Sequence, residues 1–315
     1  MILPYLYGIV HFRQAPMTWF LFFLNCVFFI LTLQNQLFTQ KRLKPFYEQK
    51  ELLVFQGQFY SQYVLQNSDR YSPLMLELSR GTQAGSEKKA KHMGQLAFRD
   101  PLFLKTSEAL EFEGDQVAVE YWKQQVREIA SIRDSSTMIQ NGLSYDHAKF
   151  WNLFSYQFLH GDIMHLLSNM FFLLIFGIAV EKMLGTWAVL AVYLSTGVAA
   201  ALVFSAFSGL SALPLVGSSG SISGLMGFFG ALYRTRPVKF FFWFFPAKDF
   251  VGFMYLPAWI AFAMWILLDM TGVLSTIPEL GGTAHMAHLG GVFAGLLMGI
   301  TVSFFWKVPL VDDRE

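Results

Sequence analysis

Two residues on separate apolar segments have the chemistry for nucleophilic catalysis. Ser219 lies in Gly217-Ser218-Ser219-Gly220 at the start of one segment, and His288 lies in Ala287-His288-Leu289-Gly290-Gly291 early in another. A serine hydroxyl becomes an effective nucleophile when a neighbouring base accepts its proton. Taken singly, a serine bonded to its own helix or a histidine bonded between helices would explain each residue. Together they predict a catalytic Ser–His dyad within a membrane, where polar groups are costly and usually functional.

A second polar pair has the chemistry to stabilise an oxyanion. His165 and Asn169 are spaced i, i+4, which places both on one face of an earlier apolar helix. Each donates a hydrogen bond without a permanent charge, and Ser219 at a helix N-terminus adds free backbone N–H groups. Acyl transfer needs such donors. We predict that His165, Asn169 and Ser219 form the oxyanion site; the alternative is a polar pair bonded to neighbouring helices.

Other ionisable residues near these segments receive no catalytic role. Asp269 is the only acidic candidate to orient His288 and is poorly placed, so we expect a dyad and not a triad. His160 is expected to bond backbone carbonyls, and His285 to lie in a loop near the entrance. With no His-Glu-x-x-His motif and no clustered carboxylates, we predict neither a metal nor another cofactor.

The composition is that of a membrane protein. The chain is 54% hydrophobic and 14% charged, with a mean hydropathy of +0.41, whereas soluble domains carry roughly 25% charged residues. The net charge of +1 and the absence of a basic run argue against a nucleic-acid partner. At about 20 residues per crossing, we predict an all-α membrane protein with a six-transmembrane-helix bundle. The six spans are 17–34, 163–183, 186–208, 218–235 (a short one), 250–271 and 285–306.

Glycine spacing predicts which of these spans touch. Small residues at helical spacing let membrane helices approach closely. One face of the fourth span carries such small residues at Gly220, Gly224 and Gly227. The face of the sixth span that includes His288 carries them at Gly291, Gly295 and Gly299. We therefore expect the fourth and sixth spans to pack together and bring Ser219 to His288.

A polar insert separates the first two spans. Residues 36–150 hold 15 of the 23 Lys and Arg residues and 14 of the 22 Asp and Glu residues. We expect residues 80–89 to form a flexible loop and Val117–Ile132 to form a helix, with Val119, Trp122, Val126 and Ile129 on its apolar face. The predicted division is 1–35 (N-terminus and first span), 36–150 (insert), 151–306 (core) and 307–315 (tail).

The short connections predict the orientation. Arg234, Arg236, Lys239 and Lys248 lie between the fourth and fifth spans, whereas the loops at 209–217 and 272–284 carry no Lys or Arg. The positive-inside rule places the charged connection and both termini in the cytoplasm and the insert outside. The first span reads as retained, not as a cleaved signal peptide. We expect a multi-pass protein of a bacterial inner membrane.

The combined motifs resemble the rhomboid family of intramembrane serine proteases. The resemblance covers about 150–306 and the first span. It rests on Phe158-Leu159-His160, His165-x-x-x-Asn169, Glu181 with Leu184-Gly185, Gly217-x-Ser219-Gly220, and Ala287-His288 with Gly290-Gly291-x-x-x-Gly295. It implies Ser219 as nucleophile, His288 as base and His165 with Asn169 at the oxyanion site. It also implies no cofactor, and as substrates single-span membrane proteins cut near the outer end of their span.

Three features depart from that family's pattern. Asn152 follows Trp151 where arginine is common, and Ser223 stands where an aromatic residue usually packs on the catalytic histidine, so we expect His288 to be held less rigidly. The insert is also far longer than usual. The competing functions are a catalytically silent rhomboid relative that binds membrane clients, and a transporter, which would need an inverted repeat or opposed broken helices that we do not find.

Overall fold

The computed structural model describes residues 2–4, 12–112, 115–144, 148–207, 214–233, 237–243, 251–257 and 283–305, with the isolated positions 263 and 267. Helices dominate this part of the chain. They are α1 (Pro16–Glu48), α2 (Lys50–Gln66), α3 (Pro73–Gln83), α4 (Glu87–Ala97), α5 (Pro101–Thr106), α6 (Gln116–Asp134), α7 (Thr137–Asn141), α8 (Asn152–Ser155), α9 (Ile163–Leu184), α10 (Thr186–Phe207), α11 (Ser219–Tyr233) and α12 (Thr283–Phe305).

Four of the described helices are long and apolar enough to cross a membrane, namely α1, α9, α10 and α12. They confirm the helices predicted at 17–34, 163–183, 186–208 and 285–306. The predicted short fourth span is α11, a helix of 15 residues whose side chains are almost all buried among the others. An apolar helix buried on every side is the centre of a bundle, so the chain forms a helical membrane bundle around α11.

The predicted fifth span begins in a different structure. Val251–Pro257 forms strand β3, which pairs antiparallel with β2 (Pro237–Trp243), and β2 pairs with β1 (Ile2–Pro4). The prediction of a helix from residue 250 was therefore wrong at its start, and the all-α expectation missed this small sheet. A short apolar run rich in aromatic residues has no periodicity that separates strand from helix. Apart from the isolated positions 263 and 267, the rest of that span, including Asp269, lies outside the described residues, so a six-helix count stays a prediction.

A buried carboxylate ties the start of α1 to the end of α9. The side chain of Glu181 accepts hydrogen bonds from Met17 N (2.9 Å), Thr18 N (2.7 Å) and Thr18 Oγ1 (2.7 Å), and it is 4% exposed. The first N–H groups of a helix have no intrahelical acceptor, and an anion there also meets the positive end of the helix dipole. Glu181 thus caps α1 across the bundle.

The insert folds as a helical unit on the continuation of α1. Its apolar cluster, centred on Tyr60, Phe103 and Trp122, is separate from the cluster of the membrane bundle. The predicted helix at 117–132 is confirmed as α6, with all four predicted apolar residues buried. The predicted loop at 80–89 was wrong, because only 84–86 separate α3 from α4.

Two of the residues that suggested a loop form the short turn between α3 and α4. Gly85 adopts φ 91°, a backbone conformation that favours glycine, and the Ser86 side chain accepts a hydrogen bond from Lys89 N as the N-cap of α4. Only these residues form the turn. The polar residues on either side of it lie on the exposed faces of two amphipathic helices, α3 and α4.

A buried aspartate organises the interior of the insert. Asp100 accepts hydrogen bonds from the hydroxyls of Tyr60 (3.0 Å) and Tyr71 (2.5 Å), and from Phe103 N (3.0 Å) at the start of α5. Burial, reinforced by the adjacent carboxylate, raises the pKa of both tyrosines well above the usual range. These tyrosines therefore stay protonated as donors at neutral pH.

Candidate active site

Glycines set the distance between α11 and α12. A Cβ atom built on Gly291 would overlap the carbonyl oxygen of Gly220, and one built on Gly295 would overlap that of Gly224. The neighbours are backbone atoms, which cannot swing away as a flexible side chain would. The predicted contact between the fourth and sixth spans is therefore confirmed, and it depends on residues without side chains.

This contact brings Ser219 and His288 together. Ser219 Oγ lies 2.9 Å from His288 Nε2, a hydrogen-bond distance between residues 69 positions apart in sequence. Ser219 is the first residue of α11, and both side chains are half-buried. The hydroxyl and the imidazole therefore face each other at a position that is not fully buried.

The backbone before Ser219 has a conformation that requires glycine. Gly217 has φ 116°, and its N–H donates to the carbonyl of Tyr156 at 2.9 Å. An L-residue would be strained at this φ. The turn exposes Ser219 at the N-terminal end of α11, where backbone N–H groups lack intrahelical acceptors and favour negative charge.

His165 and Asn169 lie beside the same turn. A Cβ atom built on Gly217 would be 2.7 Å from His165 Nε2 and 3.5 Å from Asn169 Nδ2. Asn169 is 6% exposed, and its Nδ2 is a buried donor with no acceptor among the described residues. An unsatisfied buried donor costs about 1–3 kcal/mol, and such groups call for a functional explanation. This donor thus lies beside the turn that leads to Ser219, and its oxyanion role stays a prediction.

The two other histidines of this region have neighbours of their own. His160 is fully buried, and its Nε2 lies 3.3 Å from Ser218 Oγ, whereas its Nδ1 has no hydrogen-bond partner among the described residues, so the predicted bonds to backbone carbonyls are not found there. His285 lies in the first turn of α12, so its prediction as a loop residue was wrong. Its ring packs edge-on against that of His288, with centroids 6.1 Å apart. His288 therefore has an aromatic neighbour even though position 223 is serine.

Asn152 fills a structural role at the position where arginine is common in the family. Its side chain is fully buried; Nδ2 donates to Gln140 O (3.1 Å) and Gly142 O (2.9 Å), and Oδ1 accepts from Lys149 N (2.9 Å). A compact amide satisfies three backbone groups in this way. The residue that departs from the family pattern thus links the end of α7 to the start of α8.

Comparison with known proteins agrees with this geometry. A family model of the rhomboid domain matches residues 147–305. The chain belongs to the rhomboid family. It is 30% identical over 157 residues to RHOMBOID-like protein 4 of Arabidopsis thaliana (48% of this chain, 34% of that protein) and 30% identical over 168 residues to Rhomboid-related protein 2 of Mus musculus (52% of each). It is 29% identical over 150 residues to the mitochondrial Rhomboid protein 1 of Saccharomyces cerevisiae (46% and 40%). The matches thus span a third to a half of these relatives.

The rhomboid domain also contains supporting residues that sequence reasoning missed. Tyr156 is fully buried; its carbonyl accepts the Gly217 N–H, and its hydroxyl donates to Gly197 O at 2.7 Å. The neighbouring Gln157 accepts a hydrogen bond from Ser221 Oγ at 2.9 Å. Both lie on a 3-10 turn (Tyr156–Phe158), and the motif Phe158-Leu159-His160 begins only after them. Only the packing of α10 and α11 against this turn reveals their contact with the site.

Proposed function

We propose that this rhomboid protein is an intramembrane serine endopeptidase that uses a Ser219–His288 dyad. The observation that carries the proposal is the 2.9 Å contact between Ser219 Oγ and His288 Nε2 on two helices held together by glycines. Its substrates are transmembrane proteins, cut in or near their membrane-spanning segment. Residues 151–306 form the catalytic core, the insert faces the extracytoplasmic side, and both termini are cytoplasmic.

The reaction follows from the positions of the polar groups. Ser219 Oγ attacks the peptide carbonyl carbon while His288 Nε2 accepts its proton. The oxyanion is stabilised by Asn169, His165 and the backbone N–H groups that begin α11. His288 then returns the proton to the leaving nitrogen as the C–N bond breaks. Water, deprotonated by His288, attacks the resulting serine ester, and the acid product and free Ser219 are released.

Fluorophosphonate labelling tests the dyad without any knowledge of the natural substrate. An activated Ser219 forms a covalent adduct through attack on phosphorus, so the wild type labels on the peptide that contains Gly217–Gly220. Ser219→Ala and His288→Ala both abolish labelling, whereas the matched control Ser223→Ala, on the same helix, retains it. Acidification lowers labelling because a protonated imidazole accepts no proton.

Cleavage of a generic transmembrane substrate completes the test. Because the dyad acts as a unit, the Ser219→Ala, His288→Ala double variant is no less active than either single one. Removing one oxyanion donor typically costs about 10²–10³ in rate, so Asn169→Ala lowers kcat by that factor with little change in KM. Turnover that survives in Ser219→Ala refutes the proposal. A wild-type protein that binds the substrate but never cuts it would instead be a silent rhomboid relative.

A further inference from the structure

The end of the insert returns to the segment that leads to Ser219. Leu143, two residues after α7, exchanges both backbone hydrogen bonds with Leu215: Leu143 N donates to Leu215 O (3.0 Å), and Leu215 N donates to Leu143 O (2.7 Å). Leu215 lies four residues before Ser219. This isolated antiparallel bridge therefore joins the insert to the backbone that carries the nucleophile.

The side chains at this bridge also reach the helix that carries His288. Leu143 and Leu215 are 3% and 6% exposed, and they belong to one apolar cluster with Ala287, which is 1% exposed and directly precedes His288. The cluster is completed by Tyr156, Ala200, Ala201 and Phe204. A single group of packed side chains thus contacts the chain just before both members of the dyad.

The insert side of the bridge is held in place by its own contacts. Asn152 donates to the carbonyls of Gln140 and Gly142, and Ser155 Oγ donates to Asn141 O at 2.6 Å. A Cβ atom built on Gly142 would lie 2.9 Å from side-chain atoms of both Pro214 and Val216, which flank Leu215. This close packing leaves the segment little room to move relative to the turn before Ser219.

We propose that Leu143 is a positioning residue for the Ser219–His288 pair, through which the insert holds the nucleophile in its reacting geometry. The proposal rests on the proposed protease function. The α11–α12 glycine contact sets the distance between the helices, whereas the Leu143–Leu215 bridge sets the turn from which Ser219 projects. Catalysis is sensitive to displacements of about 1 Å in such groups, so a loosened turn lowers the rate of attack without weakening substrate binding.

The test compares Leu143→Ala with Leu96→Ala in the full-length protein. Leu96 is 5% exposed in the separate apolar cluster of the insert, so both variants lose the same atoms from a similarly buried site. We expect Leu143→Ala to lower kcat and the fluorophosphonate labelling rate by about ten- to hundredfold with KM unchanged. Leu96→Ala keeps the wild-type labelling rate below its melting temperature, and Leu143→Met, which keeps the apolar volume, restores the rate.

Each result decides the question. Wild-type labelling in Leu143→Ala overturns the inference, and so does an equal loss in Leu143→Ala and Leu96→Ala, which would indicate general destabilisation. If Leu143→Ala does not fold, the milder Leu143→Val variant takes its place, with an intermediate loss of labelling expected and an unchanged rate refuting the inference. Absence of labelling in the wild type would refute the protease function itself, which separates the two failures.

Discussion

Gly291 offers the sharpest test of how the bundle creates the dyad. A Cβ atom at this position would overlap Gly220 O and lie 3.0 Å from Gly220 C. Gly220 directly follows Ser219 in sequence. Alanine favours a helix over glycine by about 1 kcal/mol, but overpacking costs about 1–3 kcal/mol. Because the obstructing atoms are backbone, relief to ordinary van der Waals contact requires α12 to move away from α11 by more than about 1 Å.

Such a shift acts directly on the reacting atoms. His288 lies three residues before Gly291 on α12, and its Nε2 is 2.9 Å from Ser219 Oγ. A shift of about 1 Å takes this distance beyond the range of a hydrogen bond. We therefore expect Gly291→Ala to lower fluorophosphonate labelling and substrate turnover by about a hundredfold, while the free energy of unfolding falls by at most about 2 kcal/mol, which is the overpacking cost minus the gain in helix propensity.

The control for this experiment is Gly161→Ala. Gly161 is close in sequence to His160 and His165, yet a Cβ atom built on it meets nothing within 4 Å. The same chemical change there should leave labelling at the wild-type rate, while circular dichroism checks that both variants fold. Wild-type labelling in Gly291→Ala would refute the argument that the glycine contact sets the Ser219–His288 distance.

Three further predictions concern the rest of the chain. Glu181→Ala leaves three donors of α1 without their acceptor, so the free energy of unfolding should fall by about 3 kcal/mol. Glu181→Gln keeps one acceptor oxygen but loses the charge, so it should lose less in the same denaturation assay, and a glutamine variant as stable as the wild type would contradict a charged cap. Because burial raises the pKa of Tyr60 and Tyr71, the folded insert holds these protons more tightly than the unfolded chain. The stabilisation of the folded insert by these two protonated hydroxyls is therefore complete below about pH 10 and is lost as the pH rises above it. Near-UV circular dichroism should show unfolding at alkaline pH, and the pH dependence should be shallower in Tyr60→Phe. In a Cys26→Ser background, Ser86→Cys should react with a membrane-impermeant thiol reagent in intact cells; reaction only after lysis would reverse the proposed orientation.

The sequence determined those parts of the protein that periodicity and residue type encode locally. The helical spacing of Gly291 and Gly295 predicted a face on which another helix could pack closely, and the structure places Gly220 and Gly224 against it. The i, i+4 spacing of His165 and Asn169 likewise placed both beside the turn at Gly217. In the insert, the apolar period of α6 predicted its buried face. These patterns identify one face of a helix because small or apolar side chains recur at the positions that are buried against a neighbour.

Only the tertiary structure decided which distant backbone groups meet. The bridge between Leu143 and Leu215 uses N–H and C=O groups that every non-proline residue carries, so no residue type marks it in the sequence. The same holds for the carbonyl of Tyr156 that anchors Gly217, and for the helix N-terminus that Glu181 caps from another helix. Val251–Pro257 is a strand because it pairs with β2, since an apolar run of this length is compatible with either a strand or a helix. Periodicity tells which side of an element is buried, but the partner on that side is set by the packing of the whole chain.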